Sequence, residues 1–475
     1  MEYEIVIGLE VHVHLNTASK MFCGCSTRFG SPPNTQVCPV CLGFPGVLPV
    51  INKKAVHLAI KTALALNCKI AKFTKFDRKH YFYPDLPKNF QISQYDNPLS
   101  YDGFLEIELE SGIKGIRLKR IHLEEDAGKL IHETVGDFSL VDYNRTGIPL
   151  LEIVTEPDLR SAEEAYEFLI TLKNILEYLD VSNCNMEEGS LRCDANISIR
   201  PFGETALGTK TELKNMNSFK AVRQALGYEA NRQIGLLKEA KEITQETRLW
   251  DSEKGRTDSM RSKEEAHDYR YFPEPDLLPV MPSEELVDEI KRTIPEMPKQ
   301  CRERFVNVYG LSDYDAAVLT KEKGLADFFE ETLKDFNKPK IAANWIMGDL
   351  AAILSALNLS IDAISFNPAD LAHILGMIDS GAISGKMAKE LLKESIETKK
   401  KPGDIVKEKG LSQITDEEAI KNAVEKVLSL NQKAVDDFKA GRETAIAFLV
   451  GQVMKETRGK ANPGLVNELL KKRLS

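Results

Sequence analysis

Several absences narrow what this 475-residue chain can be. No apolar run approaches the roughly 18 to 20 residues that a membrane span needs. The first residues, Met1-Glu-Tyr-Glu4, carry neither a basic n-region nor an apolar h-region. A cytoplasmic location with no membrane partner is the expectation. There is no Gly-x-x-x-x-Gly-Lys-Ser/Thr loop, so phosphates cannot be cradled in the P-loop manner. There is no Gly-x-Ser-x-Gly elbow, and outside one close-spaced set no cysteine has an assignable histidine partner. A covalent acyl-enzyme is therefore not expected. An excess of positive charge is missing too: 63 Lys and Arg against 72 Asp and Glu give a net charge of -9. That argues against a protein that coats nucleic acid non-specifically, while leaving room for one local basic patch.

What is present is an ordinary globular composition, 42% hydrophobic and 28% charged, in a chain long enough for two to four domains. From Ile5 to Leu15 the apolar residues Ile5, Ile7, Leu9, Val11, Val13 and Leu15 alternate with a set that includes Glu10, His12 and His14. The same period of two returns at Leu191, Cys193, Ala195, Ile197 and Ile199, with Arg192, Asp194, Asn196, Ser198 and Arg200 between them. A half-buried strand explains such alternation. Between the two lies His122-Leu-Glu-Glu-Asp-Ala-Gly-Lys129. Carboxylates, imidazoles and arginines on one sheet face suit a divalent metal with a polyphosphate; the alternative is a solvated strand face with paired charges. The apolar phase changes from Ile116 and Leu118 to Ile121 and Leu123, so a bulge is expected near Lys119-Arg120, and bulges re-aim side chains.

Residues 1 to about 215 mix strand signals with helices at Lys53 to Leu66 and Ser161 to Leu179, the second with Ser161 as N-cap and Glu164 completing a capping box. Without regular alternation of strand and helix, an α+β domain with an antiparallel or mixed sheet is expected. Near Pro295 and Pro298 the pattern turns helical, clearest in Ala342 to Leu357 with the stripe Ile346, Leu350, Ile353 and Leu357. Lys399-Lys-Lys-Pro-Gly403 marks a second seam. The expected domains are 1–293, 294–400 and a small helical tail, 401–475. The tail ends in Lys455, Arg458, Lys460, Lys471, Lys472 and Arg473, which suit either an RNA or merely solvent.

Cys23-Gly-Cys25 and Cys38-Pro-Val-Cys41 are two close thiol pairs able to close a tetrahedron around zinc, with a pair of disulfides as the alternative. Four thiolates leave no open position, so this zinc would be structural. Cys68, Cys184, Cys193 and Cys301 are scattered and are expected to be buried small hydrophobes. Without a P-loop, a nucleotide must be held by cations: Arg78 and Lys79 before Tyr81-Phe-Tyr83, Arg192, Lys210, Lys214 and Arg270 are the candidates. Asp268-Tyr-Arg-Tyr-Phe-Pro-Glu-Pro-Asp276 suits a rigid loop that stacks on a base or sugar, or equally an aromatic loop anchored in the core.

Six motifs together resemble the B subunit family of the tRNA-dependent amidotransferase. They are Ile7-Gly-Leu-Glu-Val-His12, Phe82-Tyr-Pro-Asp-Leu-Pro-Lys88 with Gln91-Ile-Ser-Gln94, Leu123-Glu-Glu-Asp-Ala-Gly-Lys129, Glu187-Glu-Gly-Ser-Leu-Arg-Cys-Asp-Ala-Asn196, Asp268-Tyr-Arg-Tyr-Phe-Pro273 and Gly459-Lys-Ala-Asn-Pro463. The resemblance implies an N-terminal domain of the glutamine synthetase type, with a curved antiparallel sheet, then a helical domain and a mobile tail. It implies an ATP-dependent carbon-nitrogen ligase that phosphorylates the side-chain carboxylate of Glu-tRNA(Gln) or Asp-tRNA(Asn). Ammonia, drawn from glutamine by a separate amidase A subunit, then displaces phosphate; a small C subunit completes a heterotrimer. Carried over by motif, Glu10, His12, Glu125 and Asp194 would coordinate Mg2+, with Glu152 and Glu212 as further ligands. Tyr81, Tyr83 and Arg270 would line the pocket for the aminoacylated terminal adenosine. Two rivals stand beside this reading: a zinc-bearing RNA-binding scaffold, and a stand-alone carboxylate-amine ligase that uses free ammonia.

Overall fold

The computed structural model describes residues 2–131, 138–262, 266–410, 417–439, 442, 444–457, 461 and 463–474. It divides into two compact units, Met1–Met297 and Pro298–Ser475. The first is α+β and the second helical.

Five strands carry the argument in the first unit: β1 (Tyr3–His14), β2 (Gly112–Glu125), β3 (Pro149–Thr155), β4 (Leu191–Pro201) and β5 (Thr211–Lys214). Among the described residues they form the middle of a nine-stranded sheet in the order Arg256–Ser262, Glu246–Asp251, β5, β4, β1, β3, β2, Ser100–Leu109, Lys69–Ile70. The alternation of β1 places Ile7, Leu9, Val11 and Val13 in the core, and Glu10, His12 and His14 opposite. The sheet is not antiparallel throughout: β5 and Glu246–Asp251 run parallel. The chain between them contains a 20-residue helix, the kind of crossover that parallel neighbours require.

The expected bulge lies in β2. Its pairing with β3 slips between Leu118 and Arg120. Leu118, Ile121 and Leu123 are all buried. The extra residue lets β2 keep these side chains in the core while Arg120, His122 and Glu124 turn to the polar face.

Helices α1 (Lys53–Ala65), α2 (Ala162–Tyr178) and α3 (Phe219–Lys238) share one core with the apolar face of the sheet. Ile60, Phe168, Leu172, Val222 and Leu226 are among the side chains they bury there, each worth about 1.5 to 3 kcal/mol. Each helix starts on a side-chain cap: Asn52, Ser161 and Ser218 accept the N–H of Ala55, Glu164 and Ala221. Glu164 accepts the Arg160 N–H at 2.6 Å and an ion pair from Lys114 at 2.7 Å. A three-stranded sheet, Phe272–Pro273 with Asp77–His80 and Phe90–Ser93, supplies further groups near the polar face.

In the second unit, Pro339–Leu357 runs as one apolar helical stretch of 19 residues. By length and composition alone it would suffice to cross a membrane, so the expectation that no such stretch exists is corrected. Its buried residues, Ala342, Ala343, Ile346, Leu350 and Leu354, form one buried stripe along an otherwise more exposed helix. The expected stripe is corrected as well. A π turn at Ile346–Leu350 widens the helix and moves the buried phase to Leu354, leaving Ile353 half-buried and Leu357 exposed. Farther on, Ile420, Val424, Val427, Leu449, Val453, Val466 and Leu470 form a separate cluster.

Candidate active site on the polar sheet face

Strand register assembles the site in rows. In one row His12 of β1 faces Arg192 of β4 and Glu152 of β3, and Glu152 faces His122 of β2. In the next, Glu10 faces Asp194 and Val154, and Val154 faces Arg120. Side chains directly opposite in such pairs point the same way, so both rows share one face.

At the centre, His12 Nε2 lies 3.3 Å from Glu152 and 3.6 Å from Glu124. His122 Nε2 lies 3.3 Å from Glu152 and 3.8 Å from Glu124. Ser93 Oγ donates to Glu124 at 3.0 Å. Donor atoms of His12, Glu124 and Glu152 fall within 4.8 Å of one another. Two carboxylates and an imidazole at that spacing suit a hard divalent cation that keeps part of its water shell. The electrostatics agree. Burial would lower the pKa of both imidazoles, but Glu152 and Glu124 outweigh it, raising His12 and pushing His122 up to about 9. Burial would raise Glu152, yet the two histidines hold it well below the carboxylate range.

The row end is closed by Asp126, which meets His14 at 2.6 Å, Arg192 at 3.0 Å and Arg145 at 3.5 Å. Lys79 belongs to the smaller sheet, its ammonium 4.8 Å from the Tyr269 ring and 5.8 Å from Tyr81. Burial alone would lower its pKa; Tyr271, Glu124 and Glu152 raise it instead, so the ammonium lies within electrostatic reach of the two carboxylates. Tyr271 stacks on Tyr95 with centroids 4.2 Å apart, and Tyr81 donates its hydroxyl to Gln91 at 3.2 Å.

The expected residues therefore divide. His12 and Glu152 are brought together, and Lys79 and Tyr81 lie near them. Glu10, held by Asn196 at 3.0 Å, lies one row along. Asp194 pairs with Lys214, and Glu212 takes the Thr247 hydroxyl at 2.8 Å, with Lys214 3.7 Å away. Arg192 is paired to Asp126. Glu125 is not part of the cluster: its carboxylate takes the Ile92 N–H at 3.0 Å and pairs with Lys88. Its neighbour Glu124, which the motif reading passed over, joins His12 instead. Lys210 is exposed ahead of β5, and Arg78 is fixed by Glu274 at 2.7 and 2.9 Å. Arg270 is exposed, at φ +45°, with its guanidinium 6.0 Å from the Phe82 ring, while Tyr83 meets Tyr81 edge-on.

Apart from this face, Cys23, Cys25, Cys38 and Cys41 converge as free thiols with sulfurs within 4.8 Å of one another. Ligand atoms about 3.8 Å apart would complete a tetrahedron on ~2.3 Å zinc–sulfur bonds. Cys41 accepts the Cys38 N–H at 3.2 Å and faces the Lys20 ammonium at 3.7 Å. A hydrogen bond from Cys23, outweighing burial, lowers the Cys41 pKa to about 5. The other four cysteines are buried. In the tail, Lys455, Lys471, Lys472 and Arg473 are exposed, Arg473 pairing with Glu425. Arg458 and Lys460 lie outside the described residues.

Comparison with known proteins places this geometry. Residues 5–288 match the GatB/GatE catalytic domain, and residues 327–474 match the GatB domain. The aspartyl/glutamyl-tRNA(Asn/Gln) amidotransferase B subunit of Caldanaerobacter subterraneus subsp. tengcongensis is 59% identical over the whole of both chains. Its namesakes from Carboxydothermus hydrogenoformans and Brevibacillus brevis are 57% and 55% identical, over all of this chain and 99% of theirs. The acidic sheet face, the two matching domains and the end-to-end likeness establish that the chain belongs to the family of aspartyl/glutamyl-tRNA(Asn/Gln) amidotransferase B subunits.

Proposed function

We propose that this protein carries the phosphoryl-transfer step that activates Glu-tRNA(Gln), Asp-tRNA(Asn) or both for amidation. The observation that carries the reading is the His12, Glu124 and Glu152 cluster, with the Lys79 ammonium within electrostatic reach of its carboxylates. A side-chain carboxylate oxygen of the tRNA-borne amino acid attacks the γ-phosphorus of ATP. The bond to the β,γ-bridging oxygen breaks, and ADP leaves with that electron pair. Ammonia then attacks the carbonyl carbon, phosphate leaves with the carbon–oxygen pair, and the nitrogen loses a proton.

Such transfer is mostly positioning and charge compensation. Held by His12, Glu124 and Glu152, Mg2+ would offset charge on the polyphosphate. Lys79 supplies a cation within electrostatic reach of it, and Glu10 stands in the next row of the same sheet face. Lys214, kept in place by Asp194 and Glu212, adds a positive group on the β5 side. Tyr81 with Tyr269 and Tyr271 forms an aromatic wall suited to the terminal adenosine.

The rest of the assignment follows the family resemblance. The amide nitrogen would come from an amidase A subunit acting on glutamine, with a small C subunit completing the heterotrimer in the cytoplasm. The four cysteines would hold a structural Zn2+. The helical half is read as a domain to residue 400 and a tail from 401, whose exposed lysines and arginine would meet tRNA phosphates. The test is ADP release by the assembled complex supplied with Mg-ATP. It should require misacylated tRNA and vanish in Glu152→Gln. Turnover driven by free glutamate, or unchanged in that variant, overturns the reading.

A further inference from the structure

Arg120 has no role in the reading above, yet the bulge in β2 is what aims it. Had the strand kept its phase after Leu118, the residue at 120 would point into the core. The slip between Leu118 and Arg120 turns it to the polar face, beside Val154, with Glu10 on that residue's other side. Other arginines of this unit are committed: Arg78 to Glu274, Arg117 to Asp158, Arg145 and Arg192 to Asp126, and Arg200 to Glu4. Among the described residues, Arg120 has no carboxylate partner within 4 Å. Its Nη1 makes a long 3.4 Å bond to the Tyr95 carbonyl, and its Nε is buried with no hydrogen-bond partner. A buried donor left unpaired keeps its full desolvation penalty, which a fold rarely tolerates without a use for it.

The surroundings indicate the use. Tyr271, stacked on the Tyr95 ring whose carbonyl accepts from Arg120, lies within electrostatic reach of Arg120, Lys79, Glu124 and Glu152, so these charges gather on one side of the sheet. Opposite Arg120 across Val154 stands a carboxylate, and beside it lies the row that gathers His12, Glu124 and Glu152. A planar fork of donors next to a metal-binding triad matches the oxygens of a terminal phosphate. We infer that Arg120 is a catalytic residue that binds the γ-phosphate of ATP and stays with it as it moves to the carboxylate. The inference rests on the phosphoryl-transfer reading above.

Calorimetric binding of Mg-ATP and of Mg-ADP to the assembled complex separates the two. Loss of a charge-assisted contact to the terminal phosphate in Arg120→Met should weaken Mg-ATP roughly 10- to 100-fold. Mg-ADP should stay within about twofold, and Arg120→Lys should fall between the wild type and Arg120→Met in Mg-ATP affinity. An equal loss for both nucleotides, or none for either, overturns the assignment while the phosphoryl-transfer reading stands, provided the wild type binds Mg-ATP. A wild-type complex that binds neither overturns both.

Discussion

The two metal-capable clusters of the first unit are built in opposite ways. The four thiols come from one stretch, residues 23 to 41, and each sulfur offers the same soft donor. His12, Glu124 and Glu152 come from three strands, and no two are close in sequence. A local set folds its own loop around an ion, whereas a dispersed set exists only once the sheet has formed. A zinc held by the first would serve the fold, and an ion held by the second would use it. The dispersed set is also the one beside Lys79 and Arg120, cations with no carboxylate within 4 Å among the described residues, where a polyphosphate would complete the charge balance.

If that contrast holds, the largest effect belongs to the thiols. Replacing Cys23 and Cys41 with Ser, or stripping zinc with a strong chelator, removes binding free energy on the order of 10 kcal/mol, and that energy is folding energy. Protease should then cut within residues 20–50, the melting temperature should drop, and metal analysis should fall from one zinc per chain to none. A zinc-free chain with an unchanged melting curve would erase the distinction.

Glu152→Gln should do the reverse. It keeps shape and burial but removes the charge that both histidines face. ADP release should fall about a thousandfold, ~4 kcal/mol of transition-state stabilisation, while the chain stays folded and melts only a few degrees lower, because the histidines that lose their counter-charge can release a proton. Loss of fold in this variant would make the dispersed cluster structural too.

A finer cut separates adjacent carboxylates. Glu124→Gln should slow ADP release about a hundredfold more than Glu125→Gln, because only Glu124 reaches the triad. Equal effects would mean that the triad is not the unit that acts.

That pair also shows what was legible. The thiol set could be read from spacing alone, because its geometry is local. The alternation in β1 and β4, the α+β class and the bulge at Lys119-Arg120 could be read because burial imposes a period of two. Glu124 was within reach of the same rule: with Ile121 and Leu123 in the core, parity sends His122 and Glu124 to the polar face, and a motif match at Glu125 masked it. Lys79 against Tyr269 could not be read, since 190 residues separate them and only tertiary folding sets that contact. Nor could the parallel pair at β5, which depends on where α3 returns the chain.

The smallest effect should come from a third charged constellation, one whose carboxylate is filled by donors of the protein itself. Glu229 on α3 is buried and accepts from Arg232 at 2.6 and 2.9 Å, Thr211 and Gln233 at 3.0 Å, and Thr257 at 2.9 Å. Burial alone would raise its pKa; Arg232 and Gln233 more than offset this, holding the carboxyl below its ordinary value. A depressed carboxylate stabilises the fold above its unfolded pKa, about 4.3, and that contribution is lost as pH falls through the folded value. Glu229→Gln should therefore cost about 2 kcal/mol at neutral pH, leave ADP release within a few-fold, and lose this disadvantage progressively below roughly pH 4.3. Urea melts of both proteins across pH 3 to 7 check it. A gap that stays constant to pH 3 would show that packing and not charge is what Glu229 contributes. The contrast would then rest on the thiols and the triad alone, because saturation of a carboxylate by donors, as at Glu229, is what marks a buried charge as structural.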